Sequence, residues 1–154
     1  MLAIGRDKVK AASLDDRVVL ELGDATDLKG LEDGSFDKIS ISFGIRNIPN
    51  LDAALREMRR VAAPGATLAV MEFCEPEKGL LAPVARLFIK HVVPRLGAVL
   101  SGARWDEYNH LQKSIAAFPP PTAFQAKIEH AGFAAQAPVF YACGSVALYL
   151  AKAK

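Results

Sequence analysis

The sequence has few cysteines, no dominant charge of either sign and little that suggests a nucleic-acid partner. Cys74 and Cys143 are its two cysteines, too few and too far apart for a disulfide scaffold or a zinc site, so we expect two buried free thiols. Nineteen Lys and Arg against seventeen Asp and Glu give a net charge of +2. That balance is too close to neutral to indicate nucleic acid as the main partner.

Long apolar runs are also missing. The first ten residues contain neither the apolar run of a signal peptide nor an Arg- and Ser-rich transit segment. The most apolar stretch, residues 80–100, is interrupted by charged residues and by Pro94, whereas a transmembrane helix needs about 20 nearly uncharged residues. We therefore expect a soluble or peripheral protein.

Several well-known site motifs are absent as well. The eleven glycines never occur as Gly-x-Gly, which excludes a P-loop and a dinucleotide-binding glycine loop within these 154 residues. The three histidines have no metal-ligand spacing, so we expect no metal site. No serine lies in a Gly-x-Ser-x-Gly elbow, which argues against a hydrolase of that type.

The residues that are present predict one α/β domain. Hydrophobic residues make up 51% of the chain and charged residues 23%, as in a soluble protein with a core. Apolar periodicity predicts helices at 2–12 and 49–63 and strands at 17–22, 37–43 and 67–73. Asn50 or Asp52 is the expected cap of the second helix. This order of elements indicates a largely parallel sheet.

The C-terminal third has a different pattern. Residues 76–114 are helical in periodicity but broken by Pro83, Pro94 and Gly97. Thr122 is predicted to cap a helix that runs through Ala131 and is closed by Gly132. Residues 133–141 and 146–151 then predict two strands joined by a short turn, and hence an antiparallel pair.

Candidate site residues follow three predicted strands, at Gly23-Asp24-Ala25, at 42–47 and at 72–75. Ligands of open parallel sheets bind at the carboxyl ends of the strands. A carboxylate followed by a backbone N–H suits an adenine, although Asp24 is equally suited to capping its own loop. Arg46 is either a surface charge, the partner of an acid such as Asp52, or a ligand-binding residue.

These strings closely resemble the ubiquinone/menaquinone biosynthesis C-methyltransferases, the UbiE/COQ5 family. Nearly all of the chain takes part in the resemblance, and the string Ser-Phe-Gly-Ile-Arg-Asn at 42–47 is specific to that family, whereas Gly-Asp-Ala is shared by many methyltransferases. The matching strings are Gly23-Asp24-Ala25, Ser35-Phe36-Asp37, 41–47, Met71-Glu72-Phe73, Arg60-Val61, Pro64-Gly65, 91–97, 108–115 and Ala131-Gly132-Phe133.

The resemblance implies a Rossmann-like class I S-adenosylmethionine methyltransferase sheet, incomplete at its N-terminal half and ending in a C-terminal antiparallel strand pair. Residues 1–154 then form the C-terminal portion of a single domain, with a helical lid or substrate insertion at 76–118. Members of the family carry further N-terminal strands, a glycine-rich loop that holds the methionine part of the cofactor, and an acid that holds its ribose. We expect these to be absent from the present chain.

The resemblance also implies roles for individual residues. Asp24 and Ala25 would contact the adenine of S-adenosylmethionine, and Ser42 would lie beside the cofactor. Arg46 and Asn47 would face the ring of a polyprenyl benzoquinol that is methylated on carbon in ubiquinone biosynthesis. Because a guanidinium stays protonated in proteins, Arg46 is expected to stabilise a developing phenolate or orient a water rather than act as the base.

The lid segment has two interpretations. Arg86, Lys90 and Arg95 stand among apolar residues with no acid between Lys78 and Arg104. This pattern fits either a surface helix packed on the sheet or a basic amphipathic lid that touches an anionic membrane and admits a polyprenyl tail. The family implies the matrix side of the mitochondrial inner membrane or, alternatively, a membrane-peripheral place in the bacterial cytoplasm.

Other functions and assemblies stay open at this point. The chain is alternatively a non-catalytic scaffold or assembly subunit of a quinone-synthesis complex, or a methyltransferase for another small molecule. Two strands whose neighbours are missing leave unpaired edges, so we expect a homo-oligomer, a quinone-synthesis complex, or direct pairing of strand 17–22 with strand 37–43. Without the N-terminal loop and acid, we expect the chain to show neither S-adenosylmethionine binding at micromolar concentrations nor methyl transfer.

Overall fold

A mixed β-sheet with helices packed against it forms the centre of the structure, a computed structural model that describes residues 2–75 and 105–154, the side chains of 105–110 excepted. The helices are α1 (Leu2–Ala11), α2 (Leu51–Val61), α3 (Trp105–Ala117) and α4 (Pro121–His130). The strands are β1 (Phe36–Ser42), β2 (Ala62–Phe73), β3 (Phe133–Ala135), β4 (Val139–Tyr141) and β5 (Val146–Ala153). Short 3₁₀ turns lie at Ile45–Asn47 and Ala142–Gly144.

The strand order is β1-β2-β5-β3, and β4 also pairs with β5. Strands β1 and β2 are parallel, whereas β5 is antiparallel to β2, β3 and β4. The predicted C-terminal antiparallel pairing is therefore confirmed, but the segment predicted as one strand at 133–141 forms two short strands, β3 and β4. The prediction of a largely parallel sheet is wrong for the described residues, because the short turn at Ala142–Gly144 reverses the chain between β4 and β5.

The segment predicted as a strand at Arg17–Leu22 is not one. Its backbone forms no ladder with any described residue, and the side chains of Val19 and Leu22 are 77% and 89% exposed. Its β-branched sequence favours a strand, but a strand exists only where a neighbour accepts its hydrogen bonds. Direct pairing of this segment with β1, the alternative expected from the sequence, is not observed.

Helix α2 forms where its periodicity predicts. The Asn50 side chain accepts a hydrogen bond from the Ala53 N–H at 3.0 Å and caps the helix, as expected for one of the two candidate caps. The helix buries an apolar face made of Ala54, Leu55, Met58 and Val61. This face forms the core together with residues of β2, β5 and α4. The largest side chains of the core are Ile45, Leu55, Leu68, Phe124, Ile128, Phe133 and Tyr149.

Two local predictions are wrong. Helix α4 begins at Pro121 after Pro120, and Thr122 lies inside its first turn rather than capping it. Proline suits the first helical position because its fixed φ is already helical and it has no N–H to satisfy. Cys143 is exposed while Cys74 is buried, because Cys143 lies in the turn before β5. Gly132 does close α4, with a left-handed φ of 99°.

Candidate functional site

The loop that leaves β1 is shaped by a left-handed residue and an apolar anchor. Phe43 has φ 54°, a conformation that costs a residue with a side chain about 1–3 kcal/mol. Its N–H still donates to the Met71 carbonyl of β2 at 2.9 Å, and its ring packs on Phe73 with centroids 4.7 Å apart. After Gly44, Ile45 is fully buried in the core. The loop is therefore fixed to the carboxyl ends of both parallel strands.

Arg46, which follows Ile45, is held on several sides. Its Nη1 donates to Glu72 Oε1 at 2.6 Å and to the Phe43 carbonyl at 2.9 Å. Its Nε donates to Ser114 Oγ of α3 at 3.2 Å, and its guanidinium carbon lies 5.4 Å from the centre of the Phe73 ring. The side chain is only 10% exposed. Arg46 is therefore neither a surface charge nor the partner of Asp52.

Glu72 is the partner that sequence reasoning missed. Its side chain is completely buried, and it also accepts hydrogen bonds from the Phe73 N–H at 2.8 Å and the Arg46 N–H at 3.3 Å. Position 72 continues the buried face of β2 that includes Ala66, Leu68 and Val70. A carboxylate on such a face requires a cationic or N–H partner, and this was the available signal.

One nitrogen of the Arg46 guanidinium, Nη2, has no hydrogen-bond acceptor among the described residues. A guanidinium has five N–H donors. Nε and Nη1 are occupied, whereas Nη2 donates to no acceptor within the described part of the chain. Two N–H groups of fixed direction at a strand end suit a ligand oxygen, and Arg46 is suited to bind a hydroxyl or phenolate.

Ser42 and Asn47 flank the same loop and are both exposed. Asn47 closes the 3₁₀ turn by donating its N–H to the Gly44 carbonyl at 3.1 Å. Asp52, the alternative partner considered for Arg46, instead pairs with Lys127 at 2.8 Å, and this ammonium lowers the pKa of Asp52. The structure thus brings Ser42, Arg46 and Asn47 together.

Asp24 caps its own loop. Its Oδ1 accepts hydrogen bonds from the Thr26 N–H at 2.8 Å and the Thr26 hydroxyl at 2.7 Å, an Asx turn. The Thr26 backbone hydrogen bond, followed by the hydroxyl, lowers the pKa of Asp24, so the carboxylate is ionised at neutral pH. Among the described residues no hydrogen bond or ion pair joins Asp24 to Ser42, Arg46 or Asn47.

The loop after Asp24 is fastened to α2. Glu57 Oε2 accepts from the Leu28 N–H at 2.8 Å, and Arg60 donates to the Leu28 and Leu31 carbonyls at 3.0 and 2.8 Å. Arg60 also pairs with Asp33 at 2.6 Å and with Glu57 at 2.9 Å. The Arg60 hydrogen bond lowers the pKa of Glu57 to about 2. Because α2 begins at Leu51, with only residues 48–50 between it and Asn47, both loops rest on the same helix.

The described residues contain neither a metal-ligand cluster nor a membrane-spanning helix. Residues 2–75 and 105–154 contain no cluster of His, Cys, Asp or Glu that could hold a metal ion. No helix in these ranges is long and apolar enough to cross a membrane. Most of the proposed lid, including Arg86, Lys90 and Arg95, lies outside the described residues.

Comparison with known proteins identifies the protein family of the chain. The sequence pattern of the ubiE/COQ5 methyltransferase family matches residues 1–153. The chain belongs to this family. The family resemblance of the loop Ser42–Asn47 is therefore confirmed at the level of the whole sequence.

Several curated relatives are similar to the chain. A demethylmenaquinone methyltransferase of Thermus thermophilus is 44% identical over 86% of this chain and 59% of its own length. The ubiquinone/menaquinone biosynthesis C-methyltransferase UbiE of Brucella anthropi is 41% identical, over 86% and 50%. The mitochondrial 2-methoxy-6-polyprenyl-1,4-benzoquinol methylase of Bos taurus is 38% identical, over 86% and 40%. The chain thus spans about half the length of these relatives.

Solved structures agree on the fold. The chain superposes with a TM-score of 0.71 and 17% identity on the [4+2]-cyclase SpnF, covering 99% of this chain and 62% of that one. The methyltransferase CalH, solved with SAH, gives a TM-score of 0.62 at 16% identity, over 100% and 41%. These likenesses establish a Rossmann-like methyltransferase fold, and the cyclase shows that the fold alone does not determine the reaction.

Proposed function

We propose that this chain serves S-adenosylmethionine-dependent C-methylation of a polyprenyl benzoquinol in ubiquinone biosynthesis. The observation that carries the proposal is Arg46, which is nine-tenths buried at a strand end and held by Glu72, Phe43 and Ser114, while its Nη2 donates to no acceptor in residues 2–75 and 105–154. Family membership supports a quinone-related substrate, and the name of the bovine relative supports a benzoquinol ring.

The residues around Asp24 fit the adenine end of the cofactor. The carboxylate is exposed and ionised, and Thr26 occupies Oδ1, so Oδ2 can accept a hydrogen bond from an exocyclic amine. Ala25 follows with a backbone N–H of the kind that meets a ring nitrogen, and Ser42 lies at the end of β1. When bound, S-adenosylmethionine would supply an electrophilic methyl group to the ring carbon and would keep the electron pair of its broken sulfur–methyl bond.

Arg46 and Asn47 would act on the quinol. Negative charge gathers on the ring oxygen as its phenolic proton leaves to water, and the proton on the methylated carbon leaves afterwards. The Nη2 donors of Arg46 stabilise that oxygen, because fixed donors in a water-poor site cost no reorganisation. The exposed amide of Asn47 would orient the same ring.

The tail of the substrate and the membrane are part of the same proposal. Arg86, Lys90 and Arg95 would hold the lid against anionic lipid headgroups, on the mitochondrial inner membrane or at the bacterial cytoplasmic face, while apolar neighbours admit the prenyl chain. Vesicles of anionic lipid should bind the parent chain more strongly than a triple Gln variant, and the difference should shrink at high salt. Equal binding would favour a helix that only packs on the sheet.

The function is tested with the 154-residue chain and reduced short-chain benzoquinol or naphthoquinol. Weak cofactor binding is the reason for the expectation from the sequence that this chain transfers no methyl group, so S-adenosylmethionine is supplied at millimolar concentration to overcome that weakness. We expect a methylated benzoquinol by mass spectrometry, and quinol-dependent shifts of the backbone amides at 42–47 by NMR. If the chain methylates naphthoquinol in preference to benzoquinol, the proposed benzoquinol substrate is wrong and the substrate ring is a naphthoquinol. Absence of both product and amide shifts would overturn the proposal and favour the scaffold alternative.

A further inference from the structure

A buried carboxylate in an apolar strand face is the least expected feature of the described structure. Glu72 is completely buried at the end of a face whose other members are Ala66, Leu68 and Val70. Removing two charges from water costs about as much as their attraction returns, and apolar replacements of buried ion pairs are often neutral or stabilising. Stability alone therefore does not explain an acid at this position.

The hydrogen bonds of Glu72 converge on one neighbour. Oε1 accepts from Arg46 Nη1 at 2.6 Å and from the Phe73 N–H at 2.8 Å, and Oε2 faces the Arg46 N–H at 3.3 Å. Glu72 thus holds both the guanidinium and the backbone of Arg46. It also ties the 3₁₀ turn Ile45–Asn47 to the end of β2.

These hydrogen bonds determine the direction of the Nη2 donors of Arg46. The guanidinium is planar, and Ser114 fixes its Nε while Glu72 and the Phe43 carbonyl fix its Nη1. Once two nitrogens of a planar group are fixed, the direction of the third follows. Pairing with Glu72 also neutralises the net charge, so Arg46 acts as an oriented donor rather than as a free cation.

We infer that Glu72 is a positioning residue that orients the Nη2 edge of Arg46 toward the ring oxygen of the quinol. The inference rests on the proposed function and adds to it a residue that does not touch the substrate. A purely structural Glu72 would matter only for the Phe73 N–H and for folding. The two roles differ in what Glu72→Gln does to Arg46 itself.

The first test observes Arg46 directly by ¹⁵N NMR of the 154-residue chain. The Nε–Hε signal is assigned by its loss in Arg46→Lys. In Glu72→Gln we expect this signal to shift and broaden, because the guanidinium loses its shortest contact and is held only by Ser114 and the Phe43 carbonyl. Glu57→Gln is the matched control, since Glu57 of α2 also accepts from an arginine and a backbone N–H but fastens the loop after Asp24, and it should leave the Arg46 signal in place. An unchanged Arg46 signal in folded Glu72→Gln would overturn the inference.

The second test is a double-mutant cycle on turnover at millimolar S-adenosylmethionine. Glu72→Gln should lower kcat by up to about 100-fold with little change in the cofactor Kd, since a misplacement near 1 Å has such an effect. In the Arg46→Gln background, Glu72→Gln should change kcat by less than about twofold, because coupled residues are non-additive. That double variant removes both charges and leaves no unpaired buried carboxylate. Additive losses would overturn the inference.

The two tests separate this inference from the proposed function. If the parent chain methylates no quinol but Glu72→Gln releases the Arg46 signal, the proposed function fails and the positioning of Arg46 by Glu72 stands. If the parent is active and Glu72→Gln retains both the signal and the kcat, the function stands and the inference fails.

Discussion

Arg46 and Glu72 illustrate how a single buried pair ties stability to chemistry. The two side chains are 10% and 0% exposed, and their shortest contact is 2.6 Å. In such surroundings either partner is tolerable only while the other is present, since an unpaired buried charge loses its hydration without compensation. Position 46 is therefore constrained by the core and, under the proposed function, also by the substrate.

Removing only the arginine should be costly to folding. Arg46→Ala is expected to lower the free energy of unfolding by about 3–5 kcal/mol, because it leaves the Glu72 carboxylate buried without its cation. Urea denaturation followed by circular dichroism measures the change. Adding Glu72→Leu to Arg46→Ala should restore most of the loss. A single variant within 1 kcal/mol of the parent would contradict this account of the pair.

A variant of Asp24 can distinguish its observed role as a loop cap from its proposed role as a cofactor ligand. Asp24→Asn keeps an oxygen for Thr26 and loses the negative charge, so the loop should stay intact while S-adenosylmethionine binding weakens by about 10-fold or more. NMR titration at millimolar cofactor measures the affinity, and the Thr26 amide shift reports on the loop. Asp27→Asn serves as the control. Equal affinity of the Asp24 variant and the parent would leave Asp24 as a cap alone.

At the scale of elements, helix α2 organises both candidate loops. Its N-terminus follows the loop of Arg46, and its C-terminal half carries Glu57 and Arg60, which fasten the loop after Asp24. The apolar face of α2 meanwhile lies in the core. A disturbance at Glu57 is therefore expected to loosen the loop of Asp24 without displacing the helix.

Acid should loosen that loop in a defined range of pH. The pKa of Glu57 falls from 4.5 to about 2 on folding, so its contribution to stability is fully present above pH 4.5 and is lost as the pH falls toward 2. Thermal melts between these limits should show a flatter pH dependence for Glu57→Gln than for the parent. Parallel curves for the two proteins would show that Glu57 is not bound in this way.

The elements that sequence reasoning located are those whose signals are local. The apolar spacing and the Asn50 cap define α2, and the turn before β5 defines the antiparallel pair. Segment Arg17–Leu22 was predicted as a strand because its composition is that of one, but pairing depends on a neighbour that composition cannot supply. The site followed the same rule. The residues at 42–47 and 72–75 are both candidate positions in the sequence, whereas the pairing of Glu72 with Arg46 depends on the fold that brings the two strand ends together.

At the scale of the whole molecule, the sheet has open boundaries. Within the described residues β1 pairs with β2 on one side only, and segment Arg17–Leu22 exposes Val19 and Leu22 without a strand partner. Exposed strand edges and apolar extended segments recruit partners. If the chain self-associates, as expected from the sequence, the open edge of β1 and the exposed side chains of Val19 and Leu22 are the surface where we expect contact.

Sedimentation velocity over a range of concentrations tests that surface. The parent chain should form dimers or larger species, and a variant with Val19→Lys and Leu22→Lys should shift toward monomer, because charge on an open edge opposes association. Val139→Lys on β4 provides a control at the other side of the sheet. A parent that stays monomeric, or a double variant that associates equally well, would contradict the assignment.

The position of β5 between β2 and the β3–β4 edge has a consequence for biosynthesis. Strand β5 spans Val146–Ala153, yet it is the central strand to which β2, β3 and β4 all pair. On a translating ribosome, β1 and β2 can pair as soon as they emerge, but β2 keeps its other side open until residue 153 has left the exit tunnel. From the emergence of β2 (Ala62–Phe73) until that of β5 (Val146–Ala153), the nascent chain therefore carries an unpaired strand edge, and this is the stage at which chaperone engagement matters most.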